Sequence, residues 1–162
     1  MIDHKVHSFR ISFSIVTCSS TRTPENDDSG KSLKEYLGKM GMPVTEYMVV
    51  KDNLKEIRGA VRKCVAISDA VVLTGGTGIS KYDVTVQAVS AIAQKEIRGF
   101  AVQFQILSHR TAGTAAMLSS ASAFVVDGKP VFCLPGSPDG ALLGLRDLII
   151  PEINHITYEL SK

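Results

Sequence analysis

The chain has 162 residues and a mass of 17.4 kDa, with 44% hydrophobic and 21% charged residues and a mean hydropathy of +0.13, which excludes a disordered or fibrous chain and fits one globular domain. Its formal net charge of +2 is small and scattered, with no arginine–aromatic cluster, so no nucleic-acid partner is expected. No apolar run reaches membrane-span length, the start Met-Ile-Asp-His-Lys-Val-His is no signal peptide, and Cys18, Cys64 and Cys133 lack disulfide or metal spacing, so a reduced cytoplasm is the expected home.

A single domain over residues 1–162 is expected, with residues 1–8 as a flexible N-terminal extension. Ile11 to Val16 begins as alternation and ends apolar, as a strand entering a buried sheet does, and Thr17 to Asp28 then reads as polar loop. Leu33, Tyr36, Leu37 and Met40 fall on one helix face that Gly41 and Pro43 end, and Val44 to Val50 is a second strand. Asn53 with Glu56 has the pattern of a capping box, followed by Ile57, Val61, Cys64 and Val65 on one helix face, which leaves Asp52 free of capping duty. His4, His7, His109 and His155 form no spaced pair and are assigned no catalytic role.

Ala70 to Thr74 is the continuous apolar run of a central parallel strand. It feeds Gly75-Gly76-Thr77-Gly78, where three glycines let backbone N–H groups converge as they do around phosphate. Asp83, followed by Val84-Thr85, stands where a helix N-cap is expected, and a carboxylate there could equally hold a metal. Neither G-x-G-x-x-G nor G-x-x-x-x-G-K-[ST] is present, so neither a Rossmann site nor a Walker ATPase is supported.

Phe100 to Leu118 reads as a helix or a broken helix interrupted at Gly113. Val125-Val126 and Val131 to Leu134 flank Asp127-Gly128-Lys129-Pro130 as a hairpin. Pro135-Gly136-Ser137-Pro138 ends the last strand, and Leu142, Leu145, Leu148 and Ile149 carry a closing helix before Pro151. Repeated strand–loop–helix units predict an α/β three-layer sandwich with a mostly parallel central sheet and a small antiparallel edge. Ligands of such a sheet bind outside the strands' carboxyl ends, where the loops after Thr17, Val50, Thr74 and Leu134 would share one rim.

Together, Thr21-Arg22 with Asp27-Asp28-Ser29-Gly30, Val50-Lys51-Asp52-Asn53, Gly75-Gly76-Thr77-Gly78 with Asp83-Val84-Thr85, and Leu134-Pro135-Gly136-Ser137-Pro138 resemble the MoaB/MogA family of molybdenum cofactor biosynthesis proteins, and MoaB more closely. The resemblance implies a molybdopterin-binding fold and, in active members, adenylylation of molybdopterin by Mg-ATP. Carried over residue by residue, it implies Asp52 and Asp83 as catalytic carboxylates and Mg2+ ligands. It further implies Thr21, Gly75, Gly76, Thr77, Gly78, Pro135, Gly136 and Ser137 at the substrate, with Ser108 and Ser119 on the pterin side. A homotrimer or homohexamer and a downstream metal-insertion protein as partner are also implied, and the apolar tail Ile149-Ile150-Pro151 with Ile153 and Ile156 would suit a subunit contact or, equally, packing in the chain's own core.

Three positions depart from the family pattern: Val102 stands for a Glu, Gln105 for an Arg and Ser120 for a second Arg. Arginine offers a fixed fork to phosphate that these side chains cannot imitate, so the positions were either phosphate contacts or structural ion pairs. A non-catalytic molybdopterin-binding or assembly protein of the same fold is therefore the alternative to the enzyme.

Overall fold

The computed structural model describes residues 10–162. The extension expected over residues 1–8, with His4 and His7, lies outside the described residues. The chain runs β1 (Phe13–Cys18), α1 (Asp28–Lys39), β2 (Val44–Val50), α2 (Leu54–Ile67), β3 (Ala70–Thr74), α3 (Thr85–Ser90), β4 (Lys95–Glu96), α4 (Arg98–Ala112), a 3-10 turn (Gly113–Leu118), β5 (Ser122–Val126), β6 (Lys129–Leu134), α5 (Pro138–Gly144), a π-turn (Leu145–Ile149) and α6 (Ile150–Leu160).

The six strands form one sheet in the order β2-β1-β3-β6-β5-β4. β1 pairs in parallel with β2 and β3, β3 pairs in parallel with β6, and β4 and β5 add the antiparallel edge. Alternate residues of each central strand point to opposite faces, and both faces are covered. Phe13, Ile15, Val72, Phe132 and Leu134 pack against α1, α4 and the α5–α6 segment, while Val16, Val71, Leu73, Val131 and Cys133 pack against α2 and α3. This is the expected three-layer α/β sandwich. Its central strands are continuous apolar runs because neither face meets water.

Asn53 caps α2 as expected, its Oδ1 accepting from the N–H groups of Lys55 and Glu56. The hairpin differs in detail from the expectation: only Asp127 and Gly128 turn, both at positive φ (49° and 75°), and Lys129 and Pro130 already belong to β6. Two consecutive residues at positive φ match the twist of the flanking strands, so the shortest turn suffices.

Pro151 does not end the closing helix, contrary to the sequence reading. It occupies the first turn of α6, where a missing N–H costs little, and the π-turn before it shifts bonding so that Ile150 N–H reaches the Leu145 carbonyl. For the apolar tail the core-packing reading holds. Ile149 and Ile153 are fully buried in this chain's own core, and Ile150 and Ile156 pack against it, because the helix continues past Pro151 along the sheet.

Among the described residues, no helix is long and apolar enough to cross a membrane. Burial pushes the Cys18 thiol up to about 12 and also raises Cys64 and Cys133, so all three are poor nucleophiles.

Candidate functional site

The parallel strands β1, β2, β3 and β6 end at Cys18, Val50, Thr74 and Leu134, and their following loops share one rim as expected. The glycine loop is pinned from three sides. Gly75 N–H donates to the Leu134 carbonyl (3.0 Å), Thr85 N–H to the Gly76 carbonyl (3.1 Å), and the Thr85 hydroxyl to the Gly75 carbonyl (2.8 Å). Gly75 and Gly76 hold φ of +94° and +68°, and a Cβ on them would strike the Cys18 carbonyl oxygen and the Thr85 hydroxyl respectively. Glycine is required at both for conformation and for space.

The N–H of Gly75 is engaged by β6 and joins two strands. Gly76 and Thr77 differ. Their N–H groups donate to no acceptor among the described residues, although Thr77 is only 4% exposed. Buried backbone donors are nearly always paired, so an unpaired one inside a glycine turn marks a place prepared for an anion.

The two carboxylates stand on either side of this loop. Asp52 Oδ2 accepts from the N–H (2.9 Å) and hydroxyl (3.1 Å) of Ser20, which leaves Oδ1 turned toward Gly76. Asp83 Oδ2 accepts from the N–H (2.9 Å) and hydroxyl (2.6 Å) of Ser80, and its carboxyl group lies against Gly78. The Ser80 hydroxyl holds the Asp83 carboxyl below its ordinary value, aided by backbone N–H groups and opposed by burial. Asp83 is not the cap of α3, since Val84 takes that position without a side-chain bond. The helix starts one residue later than an N-cap at Asp83 would give, and Thr85 ties its first turn back to the glycine loop.

Asp27 lies beneath the loop and is 1% exposed. It accepts from the Thr17 hydroxyl (2.6 Å), the Tyr47 hydroxyl (2.5 Å) and Gly30 N–H (3.0 Å), which joins β1, β2 and the start of α1. Ser29 Oγ donates to the Gly136 carbonyl (2.5 Å) and Thr74 Oγ1 to the Pro135 carbonyl (2.7 Å), fixing the Pro-Gly-Ser-Pro loop against β3. Gly136 can approach Gly75 this closely because a Cβ on it would already stand 3.3 Å from Gly75 Cα.

The Pro-Gly-Ser-Pro loop separates two cavities. A small one of about 90 Å³ is lined by Thr17, Ser19, Arg22, Ser29, Gly75 and Gly136. A larger one of about 530 Å³ brings together Ser108, Ser119, Pro135 and Ser137 with Asp139 and Arg146. Only the larger is of a size for a small organic ligand. Thr77 and Ser119 hydroxyls approach within 3.5 Å and Ser120 N–H donates to the Thr77 carbonyl (2.8 Å), so the larger cavity adjoins the glycine loop. A further cavity of about 540 Å³ opens beside Arg10, Asp69, Lys129 and Tyr158 and includes none of these loops.

Thr21 sits in the exposed loop after β1, its hydroxyl 3.4 Å from Ser19 Oγ, and lines neither rim cavity. Ser20, Ser80, Asp27 and Arg146 escaped the sequence reading as site residues. A serine before a carboxylate carries no local signal, and Arg146 joins the cavity only through the packing of the last helix.

The profile of a family described as "Probable molybdopterin binding domain" matches residues 14–155. "Molybdenum cofactor biosynthesis protein B" of Bacillus cereus is 47% identical over 151 residues, covering 91% of this chain and 89% of that protein. A solved structure described as molybdenum cofactor biosynthesis protein B superposes with a TM-score of 0.90 at 44% identity, over 94% of this chain and 97% of the other. The tungsten cofactor synthesizing protein MoaB from Pyrococcus furiosus follows with a TM-score of 0.85 at 30% identity, over 94% and 98% of the two chains.

Proposed function

The chain belongs to the molybdopterin-binding domain family, in its MoaB group of molybdenum cofactor biosynthesis proteins, and from that premise we propose that it adenylylates molybdopterin with Mg-ATP. An oxygen of the pterin's terminal phosphate attacks the α-phosphorus of ATP, the bond to the bridging oxygen breaks, and pyrophosphate leaves. The attacking phosphate is already anionic, so the protein's task is positioning and charge neutralisation rather than proton removal. The observation that carries this reading is the unpaired, buried N–H of Thr77 beside that of Gly76, set between two carboxylates.

Asp52 and Asp83 suit magnesium. Both are hard oxygen donors anchored by a serine through Oδ2, and magnesium commonly takes one or two carboxylates with water and substrate phosphates. Among the described residues no group of three or more His, Cys, Asp or Glu could hold a metal ion, so this pair would need water and substrate phosphates to complete a magnesium shell. When bound, magnesium supplies neutralisation of the phosphate charge during transfer. Gly76 and Thr77 would orient a phosphate by their N–H groups, and the hydroxyls of Ser108, Ser119 and Ser137 would orient the pterin in the larger cavity.

Of the departures at Val102, Gln105 and Ser120, the one at Gln105 has a structural explanation. Gln105 Nε2 donates to the Ser119 carbonyl (2.7 Å), a bond that supports the chain beside the cavity, and Val102 is 59% exposed. The bond favours a structural role for Gln105. Purified protein with ATP, magnesium and molybdopterin is expected to release pyrophosphate only when the pterin is present. Pterin binding without product, under conditions where an active relative turns over, would replace the enzyme by a non-catalytic binding protein.

A self-associated state follows from the same premise. Val102, Ile106, Met117 and Leu118 expose apolar side chains on α4 and the 3-10 turn, a face suited to another subunit. Light scattering is expected to give a multiple of 17.4 kDa, and a particle of 17.4 kDa at working concentration refutes self-association.

A further inference from the structure

The larger rim cavity has hydroxyl donors, one carboxylate and one cation. The cation is Arg146, which stands in the π-turn rather than on any motif loop. Its guanidinium is gripped side-on by the neighbouring Asp147, Nε donating to Oδ1 at 2.6 Å and Nη2 to Oδ2 at 2.9 Å. Adjacent residues on an α-helix do not face each other. The wider π-turn brings these two together, and such turns recur at functional sites.

The grip leaves most of the fork available. A guanidinium has five N–H groups; Asp147 takes one from Nε and one from Nη2, and the outer edge formed by Nη1 and the second Nη2 hydrogen has no protein acceptor among the described residues. That edge is the one with which arginine binds a phosphate through two parallel hydrogen bonds. Holding the planar group from behind removes much of the rotamer freedom that an arginine normally loses on binding. The other charged group at the cavity, Asp139, would repel an anion, so a ligand phosphate there needs a cation.

We propose that Arg146 is the phosphate-recognising cation of this cavity, with Asp147 as the residue that positions it; the assignment rests on the pterin–nucleotide reading of the site. Arg146 is the one cationic side chain that lines this cavity among the described residues. The phosphate comes either from the pterin or from the nucleotide, and separate titrations distinguish them.

The test is calorimetry of wild-type protein, Arg146→Gln, Arg146→Lys and Asp147→Asn with ATP and, anaerobically, with molybdopterin, each in magnesium. Arg146→Gln is expected to weaken one ligand about 10-fold or more, with Arg146→Lys recovering only part because it lacks the fork. Asp147→Asn, which loses the two-point grip on the fork, is expected to weaken the same ligand by a smaller factor and leave the other ligand unchanged, a selectivity that simple loss of structure would not give. Thermal melting within a few degrees of wild type in each variant sets aside unfolding. If wild type binds and Arg146→Gln binds both ligands equally well, the role of Arg146 is overturned while the site reading stands. If wild type binds neither ligand, the site reading itself falls, and this assignment with it.

Discussion

Asp83→Asn is expected to lower adenylyl transfer roughly 100- to 1000-fold while leaving the melting temperature nearly unchanged, and Asp52→Asn is expected to do the same. Asparagine keeps the carbonyl oxygen that accepts from Ser80 or Ser20, so the loop remains anchored and only the negative charge is lost. Single-turnover release of pyrophosphate, followed at saturating ATP and several magnesium concentrations, checks the effect. A variant as fast as wild type at every magnesium level would remove that carboxylate from the catalytic set. The sign of the pH dependence follows from the depressed Asp83 carboxyl. Its ionised form, and the stability that the Ser80 bonds give, are fully present above the ordinary value of 3.8 and are lost as pH falls through the lower folded value. A loss of magnesium-dependent activity between about pH 7 and 5 therefore belongs to another group.

Gly75→Ala is the substitution expected to damage the fold most. The new methyl group would meet the Cys18 carbonyl at a backbone φ of +94°, so neither a rotamer change nor a small side-chain shift relieves it. Left-handed strain of about 1–3 kcal/mol and overpacking of about 1–3 kcal/mol add to a cost on the order of 4 kcal/mol, against a total stability of about 5–15 kcal/mol. The melting temperature should fall by on the order of 10 °C. Gly59→Ala, in the exposed middle of α2 where nothing lies within 4 Å of the added methyl, should instead stabilise by about 0.5–1 kcal/mol. Scanning calorimetry of both variants checks the contrast, and a Gly75→Ala protein as stable as wild type would contradict the described loop.

What the sequence revealed was set by how local the cause is. The ranges of β2 and β3 and the cap at Asn53 could be read directly, because an apolar run bounded by turn residues, or one side chain near its own backbone, decides them. β4 has two exposed residues, Lys95 and Glu96, and exists only because β5 offers a partner edge, so no periodicity announces it. Of the two readings open for Asp83, the cap does not hold, because its partner Ser80 lies on the loop side and Thr85 anchors the helix start. The rim motifs were legible through a family resemblance, whereas Arg146, inside the expected closing helix, reaches the cavity only through the way that segment packs on the sheet.

The order of strands has a consequence for how the protein comes into being. β3 lies between β1, already made when β3 emerges, and β6, whose pairing residues Val131 to Leu134 are made about sixty residues later. During synthesis the first three strands and their helices can assemble while one side of β3 remains an open apolar edge, the arrangement most prone to pairing with a foreign strand. Only when β6 closes that edge does the Leu134 carbonyl capture Gly75 N–H, and only then is the glycine turn held in its binding shape. Ligand-binding competence is thus acquired near the end of chain growth, and truncation before β6 removes the function and exposes a surface for aggregation together.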